Sequence, residues 1–176
     1  MLSTEFHCTI LILCFEHCHN EVLKKCGTKE TLNRDLKLIT QDQNYTYTSI
    51  NKKQDKDILL SIIVPAYNCE KWISNGIYSL LNHKLSNRIE VIVVNDGSKD
   101  NTYKIAYDLT KIFKSLKVID KENGGHGSTI NVGLKSARGK YVRLMDGDDY
   151  FLTDNFTKFL EHLEQEDSDI VLTDYV

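Results

Sequence analysis

The chain contains 176 residues, of which 41% are hydrophobic and 27% are charged. This length predicts one domain with room for an appendage, and this composition excludes a wholly disordered chain. The 22 basic and 25 acidic residues give a formal net charge of -3, which argues against nucleic acid as a partner, because such proteins bind through a basic face. The single proline, Pro65, excludes a proline-rich recognition tract.

An apolar run, TILILCF, lies near the N-terminus at residues 9–15. It is far shorter than the roughly 20 apolar residues that a membrane-spanning helix needs. Glu5 precedes the run where a signal peptide carries basic residues, and no small-residue cleavage pattern follows it. The pattern therefore predicts a cytoplasmic protein and leaves peripheral contact with a membrane open.

Four of the five cysteines crowd the same N-terminal segment, with three histidines among them: Cys8, Cys14, Cys18, Cys26, His7, His17 and His19. A zinc site is one interpretation, because structural zinc prefers cysteine and histidine ligands. The spacing matches no paired C-x2-C pattern, however. It favours an apolar segment in which cysteine acts as a small hydrophobic residue.

The composition changes near residue 57. Residues 1–57 contain one glycine, Gly27, and no proline. Leucine and isoleucine at helical spacing predict a short amphipathic helix over Thr28–Ile39, and the polar segment Gln41–Asp57 is typical of a linker. We therefore predict an N-terminal extension of unknown role over residues 1–57 and a folded domain over residues 58–176.

From residue 58 onward, short apolar runs alternate with segments of helical periodicity. Near-continuous apolar strands that alternate with helices indicate an α/β fold, in which helices cover both faces of a mostly parallel, Rossmann-like sheet. Ligands of such folds bind beyond the carboxyl ends of the strands. Asp100 and Asp154 are the expected N-caps of the second and fourth helices. The predicted strands are Ile58–Val64, Ile89–Val94, Leu116–Ile119, Lys140–Met145 and Asp169–Thr173, and the predicted helices are Glu70–Leu81, Asn101–Phe113, Ser128–Ala137 and Asn155–Leu163.

The loops after the first two strands carry side chains suited to a nucleoside. Pro65 ends the first strand because it cannot donate a ladder hydrogen bond. Tyr67 and Asn68 follow it with a flat ring and an amide, which fit stacking on a base and hydrogen bonds to its edge. The alternative for Tyr67 is packing between helix and sheet. Asp96 ends the second strand, where a carboxylate can accept hydrogen bonds from a ribose hydroxyl or a base N–H.

The loop after the third strand holds three glycines in four positions, and a helix is expected to begin beyond it. Glycine lets the backbone approach a ligand closely, and a helix N-terminus favours anions. The loop fits neither the Rossmann nor the P-loop phosphate motif, so by itself it indicates a flexible loop. Its place between the other candidate loops makes Asn123, Gly124 and Gly125 candidate contacts for a sugar nucleotide.

The fourth strand ends in an acidic turn that contains Asp146, Asp148 and Asp149. Carboxylates this close repel each other, and a cation usually compensates for the repulsion. Hard oxygen ligands favour magnesium or manganese, which commonly bridge to substrate phosphates. Tyr150 at the fifth position of the turn excludes an EF-hand loop. A solvated acidic turn without a metal stays as the alternative.

Three segments, in this order and spacing, resemble the family 2 glycosyltransferases of GT-A fold. They are SIIVPAYN at residues 61–68, VIVVNDGSKDNT at residues 91–102 and ENGGHGSTINVGLKSARGKYVRLMDGDDY at residues 122–150. The resemblance runs from about Leu60 to Phe151. It implies transfer of a sugar from a nucleotide-diphosphate sugar to an acceptor hydroxyl, with inversion at the anomeric carbon.

The resemblance also implies roles for individual residues. Pro65, Tyr67, Asn68 and Asp96 would line the pocket for the base and ribose. Asp146 and Asp148 match the family's D-x-D motif, in which the first acid contacts the ribose or the metal's water shell and the second binds Mn2+ or Mg2+. The donor expected is a UDP-sugar, since the family uses that nucleotide most often, and the acceptor would be a glycan or a lipid.

Two departures from the family pattern bear on activity. Many relatives carry an arginine just before the asparagine that corresponds to Asn131, and this chain has Ile130 there. The general base of an inverting transferase is expected in an acceptor half beyond Val176, and His126, His162 and Asp174 are weaker candidates for it. Two hypotheses follow: a metal-assisted inverting glycosyltransferase, or a non-catalytic nucleotide-sugar-binding fragment or split subunit whose acceptor half comes from a partner chain.

Overall fold

The computed structural model of the chain describes residues 10–14, 57–168 and 170–173. No helix within these ranges is long and apolar enough to cross a membrane. The predicted helix over Thr28–Ile39, residues 41–56 of the linker and every residue of the zinc alternative except Cys14 lie outside the described residues. The described strands are β1 (Ile10–Cys14), β2 (Leu60–Ala66), β3 (Ile89–Asp96), β4 (Leu116–Lys121), β5 (Tyr141–Leu144) and β6 (Ile170–Thr173), and the described α-helices are α1 (Ile73–Leu81), α2 (Thr102–Leu109), α3 (His126–Ser136) and α4 (Thr153–Leu163).

The strands form one sheet in the order β4-β3-β2-β5-β1-β6. The first four are parallel neighbours, and Leu60 of β2 lies opposite Ile89 of β3 and Tyr141 of β5. This order confirms the predicted mostly parallel sheet. All residues of β2 and β3 are buried, which explains why their sequences are almost continuously apolar.

β1 comes from the segment that the sequence analysis assigned to an extension outside the folded domain. It lies antiparallel between β5 and β6, with Leu13 opposite both Val142 and Ile170. Periodicity along the chain could not predict this pairing, because nothing local marks which distant strand a short apolar run will join. The apolar run TILILCF thus contributes a strand to the sheet that carries the candidate site.

Helices cover both faces of the sheet, as predicted. On one face, apolar side chains of α1, α2 and α4 pack with alternate β2 residues such as Ile62 and Val64. On the other face, α3 packs on Ile63 and Ile92. α3 lies so close to β2 that a Cβ atom added at Gly133 would overlap the side chain of Ile63. The N-terminus of α3 is therefore held at a fixed place relative to the sheet.

A hydrogen-bond network around the buried Glu90 carboxylate anchors the start of β5. The Glu90 carboxylate accepts hydrogen bonds from the Ser61 hydroxyl at 2.7 Å and from the backbone N–H of Arg138 at 2.6 Å. The Arg138 guanidinium donates two further bonds at 3.1 Å. The Ser61 hydroxyl also accepts a bond from the N–H of Gly139 at 2.8 Å. These bonds tie the segment before β5 to β2 and β3, and β5 leads into the acidic turn.

The helix boundaries depart from prediction in two informative places. The expectation for Asp100 was wrong by one position, because the N-cap of α2 is Asn101, although the Asp100 carboxylate accepts a hydrogen bond from the N–H of Thr102 at 2.9 Å. The expectation for Asp154 was wrong, because α4 begins at Thr153 and Asp154 lies in its first turn. A carboxylate there still favours the helix through its dipole.

Candidate functional site

The acidic turn meets the loop after β2, because β2 and β5 are parallel neighbours whose carboxyl ends lie side by side. Gly147 makes the close contact: an added Cβ would lie 2.8 Å from the Sγ of Cys69 and 3.1 Å from the carbonyl oxygen of Pro65. α1 supports the turn from another side, since a Cβ at Gly76 would lie 2.8 Å from the carbonyl oxygen of Asp149. Glycine at both positions lets the turn pack directly on its neighbours.

A cleft of about 500 Å³ opens at this junction, a volume typical of small-molecule sites. The rings of Tyr67 and Trp72 are 52% and 47% exposed, so both present apolar surface to an incoming ligand. Asp146 and Asp148 of the acidic turn line the same cleft as these two rings. The lining consists of Pro65, Tyr67, Asn68, Cys69, Trp72, His126, Asp146, Gly147 and Asp148.

Hydrogen bonds between two loops fix the position of Asn68. Its backbone N–H donates to the Ser98 hydroxyl at 3.0 Å, and its side-chain oxygen accepts a bond from the N–H of Lys99 at 2.8 Å. Asn68 has a φ of 50°, a left-handed conformation that asparagine tolerates better than most residues. With its oxygen engaged, the side chain of Asn68 retains its NH2 group as a hydrogen-bond donor that has no partner among the described residues.

Asp96 is only 4% exposed and is bound by the glycine-containing loop. Its carboxylate accepts hydrogen bonds from the Lys121 ammonium and from the N–H groups of Gly124 at 2.9 Å and Gly125 at 2.8 Å. Burial raises the pKa of Asp96, but the bonds from Lys121 and the two amides outweigh burial, and the pKa is lowered. The Asn123 side chain donates to the carbonyl oxygen of Asp96 at 3.0 Å.

Four predicted contact residues form hydrogen bonds with one another, and their contact with a sugar nucleotide stays a prediction. Asp96, Asn123, Gly124 and Gly125 bind one another, and none of them belongs to the lining of the cleft. The cause is the sheet register, which places Asp96 opposite Lys121 at the ends of β3 and β4. In the structure, Asp96 therefore positions the loop that leads into α3.

The acidic turn concentrates three carboxylates. Burial and the charges of Asp146 and Asp148 raise the pKa of Asp149, and Arg143 offsets part of this effect. Asp146 and Asp148 are exposed, and within the described part of the chain neither carboxylate has a hydrogen-bond partner. No group of three or more His, Cys, Asp or Glu side chains among the described residues could hold a metal. A cation at this turn would therefore need additional ligands from a substrate.

Five of the predicted site residues line the cleft: Pro65, Tyr67, Asn68, Asp146 and Asp148. Cys69, Trp72 and Gly147 line it as well, although the sequence analysis did not include them, and so does His126, which the sequence analysis named only as a weaker candidate for the general base. Trp72 lies inside the predicted helix Glu70–Leu81, but α1 begins one residue after it, at Ile73. A predicted helix that began after Trp72 would have placed Trp72 in the loop that follows the first strand, and thus among the candidate site residues. The general base expected beyond Val176 stays a prediction.

Comparison with known proteins gives consistent results. A family model described as glycosyl transferase family 2 matches residues 61–176. The uncharacterized glycosyltransferase EpsJ of Bacillus subtilis (strain 168) is 47% identical over 113 residues, which are 64% of this chain and 33% of that protein. The chondroitin synthase of Pasteurella multocida (strain Pm70) is 33% identical over 139 residues, which are 77% of this chain and 14% of the synthase.

Solved structures agree with these relatives. The S. aureus TarS 1-349 crystal structure in complex with UDP has a TM-score of 0.56 and 34% sequence identity, and the match covers 61% of this chain and 32% of that one. The same TarS segment has been solved in complex with UDP-GlcNAc. The chain spans about a third or less of the length of these three relatives.

Proposed function

The chain belongs to glycosyl transferase family 2 and has the α/β architecture of the GT-A fold, and we propose that its cleft is the donor site of a glycosyltransferase. The donor is a nucleotide-diphosphate sugar, with a UDP-sugar the expected form. The sugar passes to an acceptor hydroxyl with inversion at the anomeric carbon. The acceptor is a glycan or a lipid.

One observation carries this proposal: two exposed carboxylates share a cleft with two exposed aromatic rings. Tyr67 and Trp72 provide flat apolar surfaces on which a base can stack. The NH2 group of Asn68 suits a carbonyl oxygen on the edge of a base. Asp146 and Asp148 lie at the carboxyl end of β5, where a diphosphate attached to that base can reach them.

The acidic turn fits a divalent cation that is shared with the substrate. Mg2+ and Mn2+ are commonly held by one or two carboxylates together with substrate phosphates. Asp146 and Asp148 supply two exposed carboxylates without protein partners among the described residues, which leaves their oxygens available. When bound, the metal would neutralise the diphosphate leaving group.

The TarS complexes support the nucleotide part of the proposal, because the segment that this chain matches belongs to a structure solved with UDP and with UDP-GlcNAc. In the reaction, the acceptor oxygen forms a bond to the anomeric carbon as the bond from that carbon to the diphosphate oxygen breaks. A general base takes the proton of the acceptor hydroxyl. The described residues of this chain hold the nucleoside and position the diphosphate.

Thermal unfolding with UDP tests the proposed donor site. The full chain is heated with and without UDP, in the presence of MnCl2 or EDTA. A ligand at a hundred times its dissociation constant stabilises a protein by about 2.7 kcal/mol. We expect stabilisation by UDP that needs the metal and that is lost in Asp148→Asn.

Asp154→Asn is the matched control, because Asp154 is an exposed aspartate of α4 outside the cleft lining. It should keep the full response to UDP and metal. Equal responses of both variants and the wild type would contradict the assignment of the metal to Asp148. Metal-dependent binding without turnover of UDP-sugars in the presence of acceptors would favour the second hypothesis, a nucleotide-sugar-binding unit that needs a partner for catalysis.

A further inference from the structure

His126 is the first residue of α3 and lines the cleft. Its neighbours Gly125 and Gly127 face open space, since a Cβ added at either would meet no atom within 4 Å. The hydroxyls of Ser128 and Thr129 are engaged, because they donate to the carbonyl oxygens of Gly125 and His126. In this helical turn, the imidazole of His126 is therefore the side chain that is available to a ligand.

The other two described histidines are held by protein contacts. The Nδ1 atom of His83 accepts a hydrogen bond from the N–H of Leu85 at 3.1 Å, and its ring packs edge-on against Phe156. The Nδ1 atom of His162 lies 2.8 Å from the carbonyl oxygen of Lys158. The ring of His126, by contrast, is exposed and has no hydrogen-bond partner within residues 57–168.

The charge balance of the cleft indicates what this ring would bind. Asp146 and Asp148 make the lining acidic, and the lining contains no lysine and no arginine. A diphosphate that enters such a cleft is repelled by the carboxylates. Its oxygens are strong acceptors, and the imidazole of His126 offers them an N–H donor from the lining.

We propose that His126 binds the diphosphate of the donor by hydrogen bonding through its imidazole. This inference rests on the proposed function, because it concerns the same donor site. Asp146 and Asp148 would hold a metal, and the His126 ring would donate to the diphosphate from the start of α3. The interaction adds affinity for the nucleotide diphosphate and none for the nucleoside. His126 is in this respect a specificity-determining residue.

A series of ligands tests the assignment. Dissociation constants of uridine, UMP, UDP and UDP-GlcNAc are measured with MnCl2 by NMR titration or calorimetry, for the full chain and for His126→Ala. Hydrogen bonds to charged groups correspond to a loss of about tenfold or more in affinity when the donor is removed. We expect His126→Ala to lose this factor for UDP and UDP-GlcNAc and to bind uridine as the wild type does.

Two variants sharpen the result. His126→Asn keeps an N–H donor near the position of Nδ1 and should retain part of the UDP affinity. His162→Ala removes a histidine outside the cleft and should bind all four ligands normally. Thermal unfolding of each unliganded variant checks that the fold is kept.

The outcomes separate this inference from the proposed function. A wild-type chain that binds UDP with metal, together with an unchanged His126→Ala variant, would overturn the role of His126 and leave the donor site standing. Equal losses for uridine and UDP would also overturn it, since they would show that His126 shapes the loop or contacts the base. A loss confined to UDP-GlcNAc would move the contact to the sugar. A wild-type chain that binds none of the four ligands would overturn both proposals.

Discussion

Gly147→Ala is the sharpest test of how the acidic turn is positioned. The added methyl group would lie 2.8 Å from the Sγ of Cys69 and 3.1 Å from the carbonyl oxygen of Pro65. Favourable contacts of carbon with other heavy atoms begin near 3.5 Å, so the turn must move away by roughly 0.7 Å. Overpacking of this kind costs about 1–3 kcal/mol. The shift also moves Asp146 and Asp148, so we expect weaker metal-dependent binding of UDP.

Two measurements check this reasoning: the free energy of unfolding in urea and the dissociation constant of UDP with MnCl2. The double variant Gly147→Ala/Cys69→Ala removes the sulfur and should recover part of the stability that the single variant lost, because only the contact with Pro65 remains tight. Gly127→Ala is the control, since its methyl group meets nothing within 4 Å and alanine favours a helix by up to about 1 kcal/mol. A Gly147→Ala variant with wild-type stability and wild-type UDP affinity would refute the proposed contact.

Three further predictions concern the frame around the cleft. Gly133→Ala should lower the free energy of unfolding in urea by about 1–3 kcal/mol, because the new methyl group overlaps Ile63. The pKa of Asp96 is lowered in the folded state, so its carboxylate stabilises the fold above the unfolded pKa of about 3.9, and this contribution is lost as the pH falls through the folded pKa. Urea unfolding across a pH series should therefore show Asp96→Asn to be less stable than the wild type at neutral pH, with a smaller loss below about pH 4. If the free energies of unfolding of the two proteins differ by the same amount at every acidic pH, the ion pair with Lys121 does not contribute as proposed. Leu13→Pro removes a backbone hydrogen-bond donor from β1 inside the sheet. The melting temperature of this variant should fall well below that of the control variant Leu13→Val. Equal melting temperatures of the two variants would show that β1 adds no stability.

The sequence predicted the elements of the domain well, because their signals are local. The runs that became β2 and β3 are almost continuously apolar since both faces of each strand are buried. Gly97 directly after β3, and Asp146 and Gly147 shortly after β5, mark the ends of these two strands. From this order of elements alone, the rule that ligands bind at the carboxyl ends of parallel strands led to Tyr67, Asn68 and Asp148, which do line the cleft.

The partners of individual side chains were decided by the tertiary structure. The sequence predicts Asp96 as a ligand-binding acid. In the structure, the register of β3 with β4 places Lys121 beside Asp96, and the amides of Gly124 and Gly125 donate the other hydrogen bonds to its carboxylate. The sequence predicts His126 to lie in a flexible glycine-rich loop. In the structure, His126 is the first residue of α3, which packs on β2 at Gly133. Likewise, the apolar run at residues 9–15 gives no sign that it pairs with strands more than a hundred residues away. A pattern along the chain reports whether a segment will be buried, whereas hydrogen-bond partners and strand neighbours depend on which distant segments the folded chain brings together.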